Sequence, residues 1–200
     1  MANWITFGRL LLLLVLLLVL YLGSPLLQLL NAPLVILVIA LDGLDGWVAR
    51  RRHEESLFGA TFDIAADRIV ENVLWVILAH LGLIGVWVPL LFIVRGSLVD
   101  AVRSKGASES RSAFDMMRSP IGRFLVAGRF MRGFYAVVKA ITFGWLLFWK
   151  PFAALTPDFW ASWGGALDVV GAVLVVASAA LCVVRGLPVL IEFALAPRQA

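Results

Sequence analysis

One cysteine, two histidines and two tyrosines in 200 residues leave little material for several common kinds of site. Cys182 on its own forms no intramolecular disulfide and builds no cysteine-based zinc knuckle. His53 and His80 stand alone, without the spacing of metal-ligand pairs, and read as a loop residue and a helix-end residue. Charge is scarce as well. Charged residues make up 15% of the chain, against about 25% in soluble domains. The 62% of hydrophobic residues exceeds the roughly 45–50% of globular proteins. These figures exclude an ordinary water-soluble domain, and the mean hydropathy of +0.97 points to a chain dissolved in lipid. No internal repeat occurs, and no low-complexity tract beyond the leucine run from Leu10 to Leu20.

What is present is a series of apolar stretches. A membrane-spanning helix needs about 20 mostly apolar residues, and six stretches qualify, at 10–30, 33–50, 58–81, 84–103, 124–149 and 166–190. The expected fold is therefore all-α, a polytopic membrane protein with six transmembrane helices. Breaks at Ser24-Pro25, Ala32-Pro33 and Leu81–Gly85 read as turns, since Pro and Gly interrupt helices. Two longer polar interruptions, Ser104–Pro120 and Lys150–Gly165, separate the last three stretches. A cleaved signal peptide ending near Leu22-Gly23-Ser24 is the alternative reading of the start, but its cleavage site is poor.

The net charge of +4 acquires its meaning from placement. With a cytoplasmic N-terminus, Arg9, Arg50, Arg51, Arg52, Arg103, Lys105, Arg111, Arg118, Arg123 and Arg198 all fall on the cytoplasmic side. Little besides Lys150 falls opposite, which obeys the positive-inside rule. Both termini are then expected in the cytoplasm. Trp149, Phe152, Phe159, Trp160 and Trp163 form an aromatic belt on the outer side. The basic balance is a topology signal, and no nucleic-acid partner is needed to explain it.

Four of the 13 acids sit where lipid should exclude them. Asp42 and Asp45 are three residues apart at the end of one apolar stretch, and Asp63 and Asp67 are four apart in the next. On helices each pair shares one face. The short basic turn Arg51–Ser56 joins the two helices as antiparallel neighbours, so the pairs can converge. Converging carboxylates repel unless cations match them. Hard divalent ions with oxygen ligands, Mg²⁺, Mn²⁺ or Ca²⁺, resolve the repulsion, and four carboxylates could hold two such ions. Gly59, Gly46 and Ala49 leave notches beside the acids where a bulky ligand such as a nucleotide can approach, and Arg50 can meet its phosphates. Two other readings stay open: Asp–Arg pairs that merely hold helices together, and the cation pathway of a transporter.

The order Asp42-x-x-Asp45-Gly46-x-x-Ala49-Arg50, eight residues, Gly59-x-x-x-Asp63-x-x-x-Asp67 resembles the full signature of the CDP-alcohol phosphotransferases. The resemblance implies a single membrane domain over residues 1–200 that transfers a group, typically phosphatidyl from CDP-diacylglycerol, to a second alcohol and releases CMP. It implies two divalent ions, Mg²⁺ or Mn²⁺, on Asp42, Asp45 and Asp63, with Asp67 as a further ligand or the general base. Asp42, Gly46, Ala49, Arg50 and Gly59 would line the cytidine diphosphate pocket. A homodimer follows from the same resemblance, as does phospholipid biosynthesis in a bacterial cytoplasmic membrane.

For the acceptor alcohol the signal is a basic stripe. Arg95 and Arg103 share a face of the fourth stretch, and Arg129, Arg132 and Lys139 recur at helical spacing in the fifth. Lys139 lies deep in an apolar run, where an unpaired ammonium is costly. Such a stripe suits an acceptor that carries its own phosphate; the alternative is snorkelling or lipid head-group binding. Asn3-x-x-Thr6-x-x-Arg9 is similar to the start of bacterial phosphatidylglycerophosphate synthases, although the proline usual next to that Asn is absent and Trp4 follows it. Glycerol 3-phosphate is thus the expected acceptor, ahead of inositol phosphate, inositol and serine. Glu71 extends the Asp63–Asp67 line by one turn and can orient Arg68 or a metal ligand. Asp100 is expected to pair with Arg103, and Cys182 to be a small packed or lipid-facing residue.

Overall fold

The computed structural model describes residues 2–52, 57–108 and 122–195. Among them are six long helices: α1 (Ala2–Leu22), α2 (Asn31–Arg52), α3 (Leu57–His80), α4 (Trp87–Ser108), α5 (Arg129–Trp149) and α6 (Pro157–Ala194). No strand occurs among the described residues. Four apolar segments, Trp4–Leu22, Pro25–Gly43, Phe130–Leu155 and Pro157–Ala194, are long and apolar enough to cross a membrane. The two remaining long helices, α3 and α4, have 24 and 22 residues and carry more charged side chains for their length.

Several boundaries differ from those expected. The first stretch is not one helix over 10–30. It begins at residue 2 and ends at Leu22, and a separate turn of helix, Pro25–Gln28, follows, with Ser24 Oγ accepting a bond from Leu27 N. Ala32-Pro33 is no turn, because Pro33 falls in the first turn of α2, where its missing N–H has no intrahelical partner to lose. Leu81–Gly85 does turn, through Gly82 at φ 72. The stretch 124–149 is interrupted: a π-helical turn, Arg123–Ala127, ends at Gly128 before α5 begins. A Cβ on Gly128 would lie 2.3 Å from Phe124 O, so this close approach requires glycine. Residues 157–165, expected to be a polar interruption, are helical, because Pro157 at N1 starts α6 early. At 38 residues α6 is about 57 Å long by helical rise.

The leucine run shows how the bundle assembles. Leu13, Leu16 and Leu20 of α1 are buried, while Leu11, Leu14 and Leu18 between them face outward. Spacings of three and four put the inward set on one stripe. It packs against Val35 and Val38 of α2 and against Val70 and Leu74 of α3. α1 lies against both α2 and α3, α2 against α5, α3 against α4, and α6 against α4 and α5. Trp75 is wholly buried, with the Phe92 and Phe143 rings centred 4.4 and 4.5 Å away, which joins α3, α4 and α5.

α6 is turned the other way from a helix of a soluble protein. Its buried positions include Gly164, Gly171, Ser178, Ala179, Cys182, Arg185 and Gly186, while Val169, Val173, Val176 and Leu187 are exposed. Where lipid is as apolar as a side chain, close packing of small residues and shared hydrogen bonds hold helices together. Thr142 Oγ1 accordingly lies 3.0 Å from Ser178 Oγ, between α5 and α6. At the bundle end remote from Asp42, Lys150 Nζ donates to Gln28 Oε1 at 3.0 Å, and Trp149 stacks among Phe148, Phe152 and Phe159.

Candidate active site

Three of the four expected carboxylates meet. Asp42 of α2 and Asp63 and Asp67 of α3 bring carboxylate oxygens within 4.8 Å of one another. Each side chain is about two-fifths exposed, so the cluster is open on one side. Asp63 and Asp67 share a face because they are one helical turn apart, and Asp42 reaches them from the neighbouring helix. The donor set is all carboxylate oxygen, close enough to converge on one cation, and it fits a hard ion such as Mg²⁺ or Mn²⁺. Asp45, Gly46, Ala49 and Arg50 lie on α2, but their side chains are outside the described residues, and residues 53–56, with His53, are outside them altogether. Gly59 lies on α3 one turn before Asp63 and is half-buried.

A cation already faces these acids. Arg9 of α1 is 2% exposed, with Nη1 2.7 Å from Asp42 Oδ1 and 3.3 Å from Asp63 Oδ1, and Nη2 2.8 Å from Asp67 Oδ1. This Arg–Asp contact comes from a helix other than the two that bear the acids, because the early start of α1 puts Arg9 two turns inside a helix rather than on its flank. Thr6, one turn earlier, is also buried. Three carboxylates against one guanidinium leave a net charge of −2, so the centre still attracts a divalent ion.

One turn further along α3, a second polar cluster begins. Glu71 Oε1 accepts from Lys139 Nζ at 2.6 Å, and Glu71 Oε2 from Arg68 Nη1 at 3.3 Å. Arg68 also grips Asp100 of α4, Nε to Oδ2 at 2.6 Å and Nη2 to Oδ1 at 2.8 Å. Asp100 is thus paired across helices through a bidentate fork, whereas the side chain of Arg103, its expected partner, lies outside the described residues. Lys139, costly if unpaired, is paired with Glu71 and sits 4.4 Å above the Tyr135 ring.

Arg185 of α6 completes this cluster. It is 5% exposed, lies 5.4 Å over the same Tyr135 ring, and donates through Nη2 to Val126 O at 3.4 Å. Arg95 lies across Gly186: a Cβ there would meet its Cγ and Nε at 2.7 Å. Arg95 Nε is buried with no hydrogen-bond partner among the described residues. Cys182 is packed inside, between these groups. Of the expected acceptor residues, Arg95 and Lys139 come together here, Arg132 is exposed, and the side chains of Arg103 and Arg129 are outside the described residues. His80 meets only the outer-facing Tyr21 ring, at 5.8 Å, away from both clusters.

Sequence reasoning missed two residues. Arg9 was legible as a charge but read as a topology marker. Arg185 stands in the apolar run Val183-Val184-Arg185-Gly186-Leu187, and the cost that singled out Lys139 applies to it equally.

Stretches of three relatives are similar to this chain, each named "CDP-diacylglycerol--glycerol-3-phosphate 3-phosphatidyltransferase". That of Rickettsia bellii is 29% identical over 103 residues, 52% of this chain and 57% of the relative. Those of Rickettsia typhi and Rickettsia prowazekii are each 28% identical over 103 residues, covering 58% and 57% of the relative and 52% of this chain. The chain thus spans little more than half the length of the curated relatives it matches. The family model for CDP-alcohol phosphatidyltransferase matches residues 1–195, nearly the whole sequence. The chain belongs to the CDP-alcohol phosphatidyltransferase family.

Proposed function

We propose that this protein is a divalent-metal-dependent phosphatidyltransferase that moves the phosphatidyl group of CDP-diacylglycerol to glycerol 3-phosphate and releases CMP. The observation that carries the reading is the convergence of Asp42, Asp63 and Asp67 one helical turn from a buried basic cluster. A site of that form has a place for a pyrophosphate and a separate place for an acceptor that brings its own phosphate. The names of the Rickettsia relatives support the same donor and acceptor.

Asp42, Asp63 and Asp67, with Asp45, would hold two divalent ions, Mg²⁺ or Mn²⁺. When bound, these neutralise the pyrophosphate and stabilise the departing CMP. The chain's own residues do the rest. Gly46, Ala49 and Gly59 leave room for the cytidine diphosphate, and Arg50 binds its phosphates. Arg95, Lys139 and Arg185 hold the acceptor phosphate, with Arg103, Arg129 and Arg132 drawing the anion in from the basic end. The acceptor hydroxyl oxygen then attacks the phosphatidyl phosphorus, its proton passes to an Asp67 carboxylate oxygen, and the bond to CMP breaks.

In this reading residues 1–200 form one membrane domain with six spans, α3 and α4 included, and a homodimer is its working form. The active site and both termini face the cytoplasm, so donor lipid enters from the bilayer and acceptor from water. The test is CMP release from CDP-diacylglycerol by purified full-length protein with Mn²⁺, across glycerol 3-phosphate, inositol phosphate, inositol and serine. Product with glycerol 3-phosphate alone supports the reading. Product with another acceptor corrects the acceptor, and no CMP with any of them, from folded protein, removes the enzyme reading.

A further inference from the structure

Arg9 has an unusual position for a residue of an N-terminal helix. Its side chain is 2% exposed, yet the three carboxylates it touches are each about two-fifths exposed. It therefore approaches the cluster from inside the bundle and leaves the opposite side open. Its two terminal nitrogens are distributed over two helices, Nη1 on Asp42 and Asp63 and Nη2 on Asp67. Each of these three contacts uses an Oδ1 oxygen, and a hard divalent ion also binds through carboxylate oxygen.

We infer that Arg9 is a built-in counter-cation of the carboxylate centre, a positioning residue that the incoming divalent ion displaces. Without an ion, three acids within 4.8 Å repel, and the Arg9 guanidinium holds them in place and ties α1 to α2 and α3. With an ion, two cations share the same three carboxylates at close range and repel each other, so the ion's arrival weakens the hold of Arg9. Arg9 thus weakens metal binding while keeping the empty site formed, so that the ion meets a ready set of ligands. The inference rests on the divalent-metal reading above.

The sign of one measurement separates this role from a merely structural one. Full-length wild type, Arg9→Gln and Arg9→Lys, in detergent micelles, are titrated with Mn²⁺ and free Mn²⁺ is read by electron paramagnetic resonance. Thermal unfolding is followed in parallel with EDTA and with saturating Mn²⁺. Arg9→Gln is expected to bind Mn²⁺ about tenfold tighter than wild type and to unfold at lower temperature in EDTA, with the difference narrowing when Mn²⁺ is saturating. Arg9→Lys keeps the charge but loses the fork, and its affinity is expected to fall between the two. Unchanged or weaker Mn²⁺ affinity in folded Arg9→Gln overturns the inference, since loss of a purely structural contact loosens the ligands. If Arg9→Gln does not survive solubilisation, Arg9→Lys decides alone: tighter binding supports the inference and equal or weaker binding overturns it. Wild type that binds no Mn²⁺ at all removes the metal reading itself and is told apart by that blank titration.

Discussion

Arg68 on α3 and Asp100 on α4 form a two-pronged pair, with both donor–acceptor distances at or below 2.8 Å. It is a direct polar tie between the helix that bears Asp63 and Asp67 and the helix that bears Arg95. Gly96 lies beside it, where a Cβ would come within 3.3 Å of Arg68 Nη1, so the α4 backbone is placed to let the guanidinium pass.

Truncating one partner should therefore loosen α3 from α4. Arg68→Ala leaves Asp100 without its fork and Glu71 with Lys139 alone, and is expected to cost about 2 kcal/mol, between the exposed-pair and buried-pair regimes. Asp100→Asn should cost less, because Glu71 still neutralises Arg68. Fluorescence-monitored unfolding in detergent checks the order. A larger loss for Asp100→Asn than for Arg68→Ala would contradict it.

Asp67 is the carboxylate assigned to the acceptor proton, and it is also a neighbour of the metal-binding oxygens. Asp67→Asn keeps the shape and removes the charge. Turnover is expected to fall at least about a hundredfold, the scale of losing a general base, while CDP still binds in the presence of Mn²⁺. CMP release and calorimetric CDP binding read the two quantities separately. Near-normal turnover in folded Asp67→Asn eliminates it as the base.

Much of this arrangement was legible because lipid makes charge expensive. The apolar runs located six long helices, and the spacing of Asp42, Asp63 and Asp67 placed them on converging faces. What stayed hidden depended on partners distant in sequence. Asp100 was matched to Arg103, three residues away, while its fork to Arg68, 32 residues back, has no local signal. Arg185 has its contacts at Val126 and Tyr135, on other elements, and nothing local marks them. Pro33 was read as a break, whereas proline in a first turn begins a helix, and the start at Pro157 lay inside a stretch read as a polar interruption. The early start of α1 at Ala2 is what concealed the burial of Arg9.

Gly186 offers a test of Arg95 that leaves Arg95 itself intact. An alanine Cβ there would sit 2.7 Å from Arg95 Cγ and Nε, so the flexible side chain must move aside. Gly186→Ala is expected to raise the acceptor KM about fivefold, a displacement worth roughly 1 kcal/mol, with the donor KM unchanged and the fold retained. Equal changes in both KM values would place Arg95 outside the acceptor pocket.

Lys139 and Arg185 share the Tyr135 ring but differ in burial. Arg185 is 5% exposed, while the Lys139 side chain, bonded to Glu71, is 19% exposed. A charge-assisted bond is less screened where water is excluded, so an acceptor phosphate should gain more from Arg185. A charge-assisted bond contributes about 1.5–3 kcal/mol, so Arg185→Ala should raise the KM for glycerol 3-phosphate by at least about tenfold. Lys139→Ala should raise it less and also destabilise the fold, since Glu71 is left with Arg68 alone. Arg132→Ala, exposed on the α5 surface, should act mainly at low ionic strength, as expected of long-range steering. Steady-state kinetics at two salt concentrations separates the three. A strong Arg132 effect that survives high salt, with Arg185→Ala near wild type, would move the acceptor phosphate from the buried cluster to the surface.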